Sequence, residues 1–195
     1  MVNTFKFWFV LILVMIAILV GYIVMKAVDI YPSEHHQQIK VGGDFELLDQ
    51  NGKVRTNRDF HGKFMMVYFG YRHCPDICPT ALTTITEALD LLGPKAKHVQ
   101  PLFITIDPER DTVKELAEYI QNFHHSFLAL TGNAEQVEKA MGAYRIFAQK
   151  NEEGQDYSMD HSSIIYVMDR QGNLISHFSH STSPEQIAEA LRRYL

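Results

Sequence analysis

The chain has 195 residues, of which 46% are hydrophobic and 21% are charged, and its net charge at pH 7 is −5. This composition excludes a wholly disordered chain, and the length allows one domain of ordinary size with a short extension. The net negative charge is opposite to the excess of basic residues typical of nucleic-acid-binding proteins, so we expect no nucleic-acid partner.

The N-terminal part of the chain is strongly apolar. Residues 7–25 read FWFVLILVMIAILVGYIVM and carry no charge, and about 20 such residues span a bilayer as a helix. No small-residue cleavage site follows, which favours an uncleaved anchor over a signal peptide. No face of the segment is polar, which argues against a core helix of a soluble protein. We therefore predict a transmembrane anchor within residues 1–26.

The orientation of this anchor follows from the charges beside it. Lys6 precedes the apolar segment, while Lys26 is offset by Asp29 after it, so the positive-inside rule favours a cytoplasmic N-terminus. The N-terminus also lacks the Arg- and Ser-rich stretch of an organellar transit peptide. These features favour a bacterial inner membrane with a periplasmic domain over a mitochondrial inner membrane.

The remainder of the chain alternates strand-like and helix-like segments. Residues 27–40 are polar and aperiodic, which predicts a linker, and a hairpin follows around Asn51-Gly52. Capping-box patterns begin helices at Thr112 and at Ser183, where Pro184 takes the first helical position. The other predicted elements are strands at 64–69, 101–106 and 127–130, helices at 79–92 and 134–144, and a hairpin over 163–178. Alternating units predict parallel pairing, and the last hairpin adds antiparallel strands. We therefore predict a thioredoxin-like α/β domain over residues 41–195, with helices flanking a mixed central sheet.

The two cysteines of the chain lie in one loop of this predicted domain. Cys74 and Cys78 follow the strand that turns at Gly70, and Pro79 begins the next helix, so we place Cys78 at the helix cap. Ligands gather beyond the carboxyl ends of strands in such sheets, and a helix N-terminus stabilises a thiolate. The pattern indicates metal binding or thiol–disulfide chemistry. A structural disulfide or two inert buried thiols are the alternatives.

The residue types narrow the choice of metal. Two thiolates suit Cu(I), Zn²⁺ or iron–sulfur clusters. The chain has no second cysteine pair, which argues against a cluster and against a structural zinc site with four ligands. Copper accepts few ligands and also accepts imidazole, so copper is the favoured metal. A dithiol used only for redox chemistry stays open, although the three-residue spacing departs from Cys-x-x-Cys.

Two further segments carry candidate functional residues. His161 lies in Met159-Asp160-His161-Ser162-Ser163, where a hydrogen-bonded structural histidine is a commoner interpretation than a metal ligand. If it is a ligand, Asp160 or a backbone carbonyl is expected to orient its ring. Asp107-Pro-Glu-Arg-Asp111-Thr112 predicts a turn that leads into a helix, with a charged docking loop as the alternative.

These segments together resemble the Sco/SenC family of copper chaperones, which act in cytochrome c oxidase assembly. The resemblance is carried by YFGYRHCPDICPTAL, ITIDPERDT, HHSFLALTG and MDHSSIIYVMDRQGNL, which spread over most of residues 41–195. Arg72 departs from the small polar residue that is common there in the family. The resemblance implies a thioredoxin-like fold and a copper site formed by Cys74, Cys78 and His161.

The resemblance also implies a function. A membrane-anchored chaperone of this kind would prepare the copper centre of cytochrome c oxidase subunit II and would exchange copper with other carriers. The first alternative is a thiol–disulfide reductase that uses Cys74 and Cys78 to reduce the copper-ligand cysteines of that subunit. The second is a membrane-held copper or redox sensor.

Overall fold

The N-terminal unit is a single long helix. The computed structural model describes residues 2–30, 40–151 and 157–195, with side chains of the first helix from Phe7 to Lys26. Helix α1 (Val2–Ile30) includes a 20-residue stretch, Phe7–Lys26, with a mean hydropathy of 2.9, long and apolar enough to cross a membrane. The helix continues four residues into the segment predicted as a linker. The rest of that linker, residues 31–39, lies outside the described residues.

A seven-stranded mixed sheet organises the second unit, residues 40–195. Its strands are β1 (Glu46–Asp49), β2 (Val54–Thr56), β3 (Phe64–Gly70), β4 (Val99–Thr105), β5 (Leu128–Thr131), β8 (Ile164–Met168) and β9 (Leu174–Ser179). A separate pair, β6 (Ala148–Lys150) and β7 (Met159–His161), forms a small hairpin of its own.

The spatial order of the sheet is β2-β1-β5-β4-β3-β8-β9. β3, β4 and β5 are parallel, and both terminal hairpins add antiparallel strands at the edges. The parallel strands read as continuous apolar runs because both of their faces are covered, and every residue of β3 is buried. The predicted mixed, thioredoxin-like sheet is confirmed.

Helices cover both faces of this sheet. They are α2 (Ile77–Leu92), α3 (Val113–Ile120), α4 (Ala134–Tyr144) and α5 (Pro184–Arg192). Alternate β3 side chains point to opposite faces: Tyr68 contacts Cys78 of α2, whereas the ring of Phe69 lies 5.3 Å from that of Tyr144 in α4. The side chain of Ser183 caps α5 with Pro184 at the first helical position, as predicted, and Asn133 caps α4 in the same manner.

The sequence analysis missed the β6–β7 hairpin and two 3-10 helices, Asn57–Phe60 and Gly93–His98. The strands of the hairpin have three residues each, and the alternation in Ala148–Lys150 is too short to separate a strand from a loop. The hairpin matters because β7 ends at His161. We call residues 148–151 and 157–161 the His161 arm.

Candidate metal centre

The loop after β3 brings the two cysteines to the first turn of α2. β3 ends at Gly70, and the helix begins after Asp76, which occupies the N-cap position. Cys78 is therefore the second helical residue and not the cap, so the predicted cap position was wrong by two residues. Asp76 makes no side-chain capping bond, which leaves the first N–H groups of the helix to other acceptors.

One of these acceptors is the sulfur of Cys74. The backbone N–H of Cys78 donates to Cys74 Sγ over 3.4 Å, so the thiolate caps the helix where negative charge is stabilised. A hydrogen bond from the Cys78 thiol, with further bonds from backbone N–H groups, lowers the pKa of Cys74 against the effect of burial. The neighbouring Cys74 sulfur and burial raise the pKa of Cys78. The two pKa values shift in opposite directions, so Cys74 is the cysteine that loses its proton first.

The position of the Cys78 sulfur is defined by close packing. Cys78 is fully buried, and a Cβ atom added at Gly70 would lie 2.6 Å from its Sγ. Only glycine leaves room for the sulfur at this point of the strand. The hydroxyl of Tyr68 donates to the same sulfur over 3.8 Å, and burial together with the Cys78 sulfur raises the pKa of Tyr68. Tyr68 therefore stays protonated and remains a donor.

His161 reaches the cysteines from the end of β7. Its Nε2 lies 3.4 Å from Cys78 Sγ, and its Nδ1 lies 3.0 Å from the carbonyl oxygen of Ser162. A bond from Nδ1–H to that carbonyl leaves the Nε2 lone pair directed toward the sulfur, which is the tautomer that metal binding requires. Of the two orienting partners expected from sequence, the structure selects the backbone carbonyl. The rings of Tyr68 and Tyr71 flank the imidazole edge-on at 6.3 and 6.0 Å.

The three donor atoms converge at one point. Cys74 Sγ, Cys78 Sγ and a ring nitrogen of His161 all lie within 4.8 Å of one another. Among the residues that the structure describes, this is the one group of three or more such side chains with that spacing. Two soft sulfurs and one imidazole suit Cu(I), Cu(II) or Zn²⁺. Among the described residues, no fourth His, Cys, Asp or Glu side chain joins this group.

The Asp107–Asp111 turn supports this centre through buried hydrogen bonds. Asp111 is fully buried, and its Oδ2 accepts hydrogen bonds from the backbone N–H of Arg72 (3.0 Å) and from the Thr105 hydroxyl (2.7 Å). Asp107 is also buried and accepts from Tyr157 and Arg110. Because both carboxylates are buried, they do not form the exposed docking loop that the sequence offered as an alternative. The residue that caps the next helix is Thr112. The sequence analysis missed these supporting roles, and also those of Tyr68, Tyr71 and Tyr157.

The described histidines near the cysteine loop and on the domain surface, and the nearby methionine, do not join the three donors. His73 is exposed and contacts the guanidinium of Arg72. His124 and His125 stack on each other, and His124 hydrogen-bonds Ser126. Met159 packs against the core.

Comparisons with known proteins find a matching family model and relatives with related names. The SCO1/SenC family model matches residues 33–195. "Protein SCO2 homolog, mitochondrial" of Bos taurus is 45% identical over 168 residues, which cover 84% of this chain and 63% of that protein. "SCO2-like protein" of Rickettsia felis is 41% identical over 161 residues, which cover 81% of this chain and 78% of that protein. This chain thus spans less than two thirds of the length of its bovine relative.

A solved structure matches the fold as well. The structure of Bradyrhizobium japonicum ScoI with copper bound has a TM-score of 0.75 and 42% sequence identity. The match covers 80% of this chain and 99% of that one.

Proposed function

The chain belongs to the SCO1/SenC family, and from this premise we propose that it binds one copper ion through Cys74, Cys78 and His161 and delivers it during cytochrome c oxidase assembly. Proteins of this family act in that assembly. The observation that carries the proposal is the convergence of the three donor atoms within 4.8 Å.

The chemistry of the donors fits copper as a cargo. Two thiolates alone satisfy the low coordination number of Cu(I), while the imidazole adds the nitrogen donor that Cu(II) prefers. The pKa of Cys74 is lowered and that of Cys78 is raised, so Cys78 is the later of the two to lose its proton. Metal binding needs both sulfurs deprotonated, so we expect copper affinity to fall as the pH falls.

The exposure of the site supports delivery rather than storage. Cys74 is partly exposed and the loop residues after it reach solvent, while Cys78 is sealed behind it. Three protein donors with an open flank allow an incoming ligand to bind before a leaving one departs. A partner that presents its own sulfur donors can approach from the Cys74 side.

The proposed partner is the copper site of cytochrome c oxidase subunit II, with other copper carriers as sources of the metal. Helix α1 would tether the domain to the membrane that holds its target, since Phe7–Lys26 meets the length and hydropathy of a span. The charges beside it favour a periplasmic domain on a bacterial inner membrane.

A second candidate function is thiol–disulfide reduction of the partner. The observation that favours it is the asymmetry of the cysteines: an accessible thiolate at Cys74 beside a buried thiol at Cys78. In that reaction Cys74 attacks the partner's disulfide and forms a mixed disulfide. Cys78 then loses its proton and attacks Cys74, which releases the partner as a dithiol and leaves a Cys74–Cys78 disulfide.

The variant His161→Ala separates the two functions, because the reductase needs both cysteines and not the imidazole. The full chain in detergent is reduced and titrated anaerobically with copper, beside the unsubstituted protein. We expect the affinity for Cu(II) to fall on the order of 100-fold, as for loss of one ligand, while reduction of a partner peptide disulfide is retained. An unchanged copper affinity would refute the proposed ligand set.

A further inference from the structure

The His161 arm is held to the rest of the domain at few points. In the described part of the chain, β6 and β7 pair with each other and with no strand of the central sheet. A two-stranded hairpin is only marginally stable by itself. The position of His161 therefore depends on its short link to β8 and on the contacts that the arm makes with the rest of the domain.

Tyr157 makes the strongest of these contacts. It is buried at the start of the segment that leads into β7, and its hydroxyl donates to Asp107 Oδ1 over 2.6 Å. Asp107 lies two residues after the end of β4 and is itself buried. The bond thus joins the arm to the end of a central strand.

Arg110 reinforces the same connection. Its Nε donates to Asp107 Oδ2 over 2.6 Å, and its NH1 donates to the carbonyl oxygen of Tyr157 over 3.0 Å. The guanidinium carbon also lies 3.4 Å from the centre of the Tyr157 ring, which is a cation–π contact shielded from water. We call Asp107, Arg110 and Tyr157 the arm clamp.

A second attachment lies closer to the metal ligands. The backbone N–H of Met159 donates to the hydroxyl of Tyr71 over 3.2 Å, and the Tyr71 ring contacts the imidazole of His161. Tyr71 belongs to the cysteine loop, so this bond joins the arm to that loop. The arm clamp instead joins the arm to the end of β4 in the central sheet.

We propose that Tyr157 is a positioning residue for the copper site, because the arm clamp sets the distance between His161 Nε2 and the two sulfurs. This inference rests on the ligand set proposed above. His161 lies four residues after Tyr157, and β7 is extended. A shift in the position of Tyr157 would therefore also shift the imidazole of His161. Release of the clamp would leave two thiolates that still hold Cu(I) and would weaken the nitrogen donor that Cu(II) needs.

The test is the variant Tyr157→Phe in the full chain, purified in detergent. The ring keeps its contact with Arg110 and loses only the bond to Asp107. We expect the Cu(II) affinity to fall about 10-fold, the range known for residues that orient metal ligands, with a weaker sulfur-to-Cu(II) charge-transfer absorption. The Cu(I) affinity should change less than about 3-fold, because both thiolates remain.

Two controls make the result specific. Tyr194→Phe removes a tyrosine hydroxyl from a half-exposed side chain beside Phe64, away from the arm, and should leave Cu(II) binding unchanged. In the metal-free protein, hydrogen exchange of the amides of residues 157–162 should quicken in Tyr157→Phe and not in Tyr194→Phe. This readout needs no copper.

The double variant Tyr157→Phe/His161→Ala decides how the tyrosine acts. If it acts through the imidazole, the first substitution has no further effect on Cu(II) binding once His161 is absent. An additive loss in the double variant, or an unchanged Cu(II) affinity in Tyr157→Phe, would overturn the inference. His161→Ala alone reports on the ligand set, so failure of the proposed function and failure of the clamp give different results.

Discussion

Cys78 lies in the first turn of a helix packed on the central sheet, whereas His161 lies at the end of a hairpin that pairs with no sheet strand among the described residues. The sulfur of Cys78 is fully buried against Gly70 and Tyr68. The imidazole of His161 is half-buried and is held by one carbonyl oxygen and two aromatic edges. One part of the site is therefore built into the core, and the other is attached to it.

This difference suits the proposed delivery of copper. The sulfur of Cys78 is held in place by close packing, so little entropy should be lost when the metal binds. The attached imidazole can move away without disturbing the core, since its departure exposes no sheet edge. The Asp107–Asp111 turn is hydrogen-bonded to both parts. Asp111 accepts a bond from the cysteine loop, and Asp107 accepts one from the His161 arm.

The largest expected effect comes from the core-built ligand. Cys78→Ser should weaken binding of both Cu(I) and Cu(II) on the order of 100–1,000-fold, because a hydroxyl is a poor ligand for either ion. His161→Ala should weaken Cu(II) far more than Cu(I). Parallel anaerobic titrations measure both. Equal losses of Cu(I) affinity in the two variants would contradict the distinction between the two parts.

Asp111→Ala tests how the cysteine loop is supported. The substitution leaves the N–H of Arg72 and the hydroxyl of Thr105 without their buried acceptor, so the free energy of unfolding should fall by about 2–3 kcal/mol. Denaturant unfolding of the metal-free full chain in detergent measures the change. Asp111→Asn keeps one acceptor oxygen and is the matched control, with an expected change below about 1 kcal/mol. A similar loss in both variants would mean that the charge, and not the hydrogen bonds, matters.

The pH dependence of the Asp111→Asn control has a definite sign. Burial raises the pKa of Asp111, against the bonds from Thr105 and Arg72. The folded state then binds the proton more tightly than the unfolded state, so this carboxyl adds stability at low pH and loses it as pH rises through the folded pKa. The unsubstituted protein should therefore gain stability relative to Asp111→Asn as the pH is lowered toward 4. A gap that narrows on acidification would contradict this.

Much of the fold followed from local patterns in the sequence. The apolar run in β3, the Asn51-Gly52 turn and the Ser183 capping box each predicted the element that the structure contains. Such signals can be recognised in the sequence because both faces of the central strands are buried, and because caps and turns depend on residues that are neighbours in the chain. The loop that carries the cysteines was predicted for the same reason.

The site itself depended on contacts that no local pattern encodes. His161 is 83 residues from Cys78 in the chain, and its role came from a family resemblance, because periodicity cannot show that distant side chains meet. The arm that holds it has two strands of three residues, below the length at which alternation indicates a strand. The arm clamp joins Asp107 to Tyr157 over 50 residues, and a buried carboxylate looks like any turn residue in sequence.

Gly70→Ala tests the close packing behind Cys78. The new methyl carbon would lie 2.6 Å from Cys78 Sγ and 3.0 Å from the Tyr68 ring, so the sulfur must shift. We expect a loss of about 1–2 kcal/mol in the free energy of unfolding, as for other overpacked cores, together with weaker Cu(I) binding. Thermal unfolding and copper titration measure the two effects. The matched control is Gly142→Ala in α4, where the added carbon meets no atom within 4 Å and stability should hold or rise.

The smallest expected effect is at the surface of the His161 arm. Lys150 and Glu109 form an ion pair at 3.8 Å between exposed side chains, next to the arm clamp but outside its buried bonds. Exposed pairs of this kind contribute less than about 1 kcal/mol and are screened by salt. Glu109→Gln should therefore leave the unfolding free energy within about 0.5 kcal/mol and Cu(II) affinity within about 2-fold. If Glu109→Gln instead weakens Cu(II) binding as much as Tyr157→Phe, the arm is held by its surface charges, and the contrast between buried and exposed attachment is wrong.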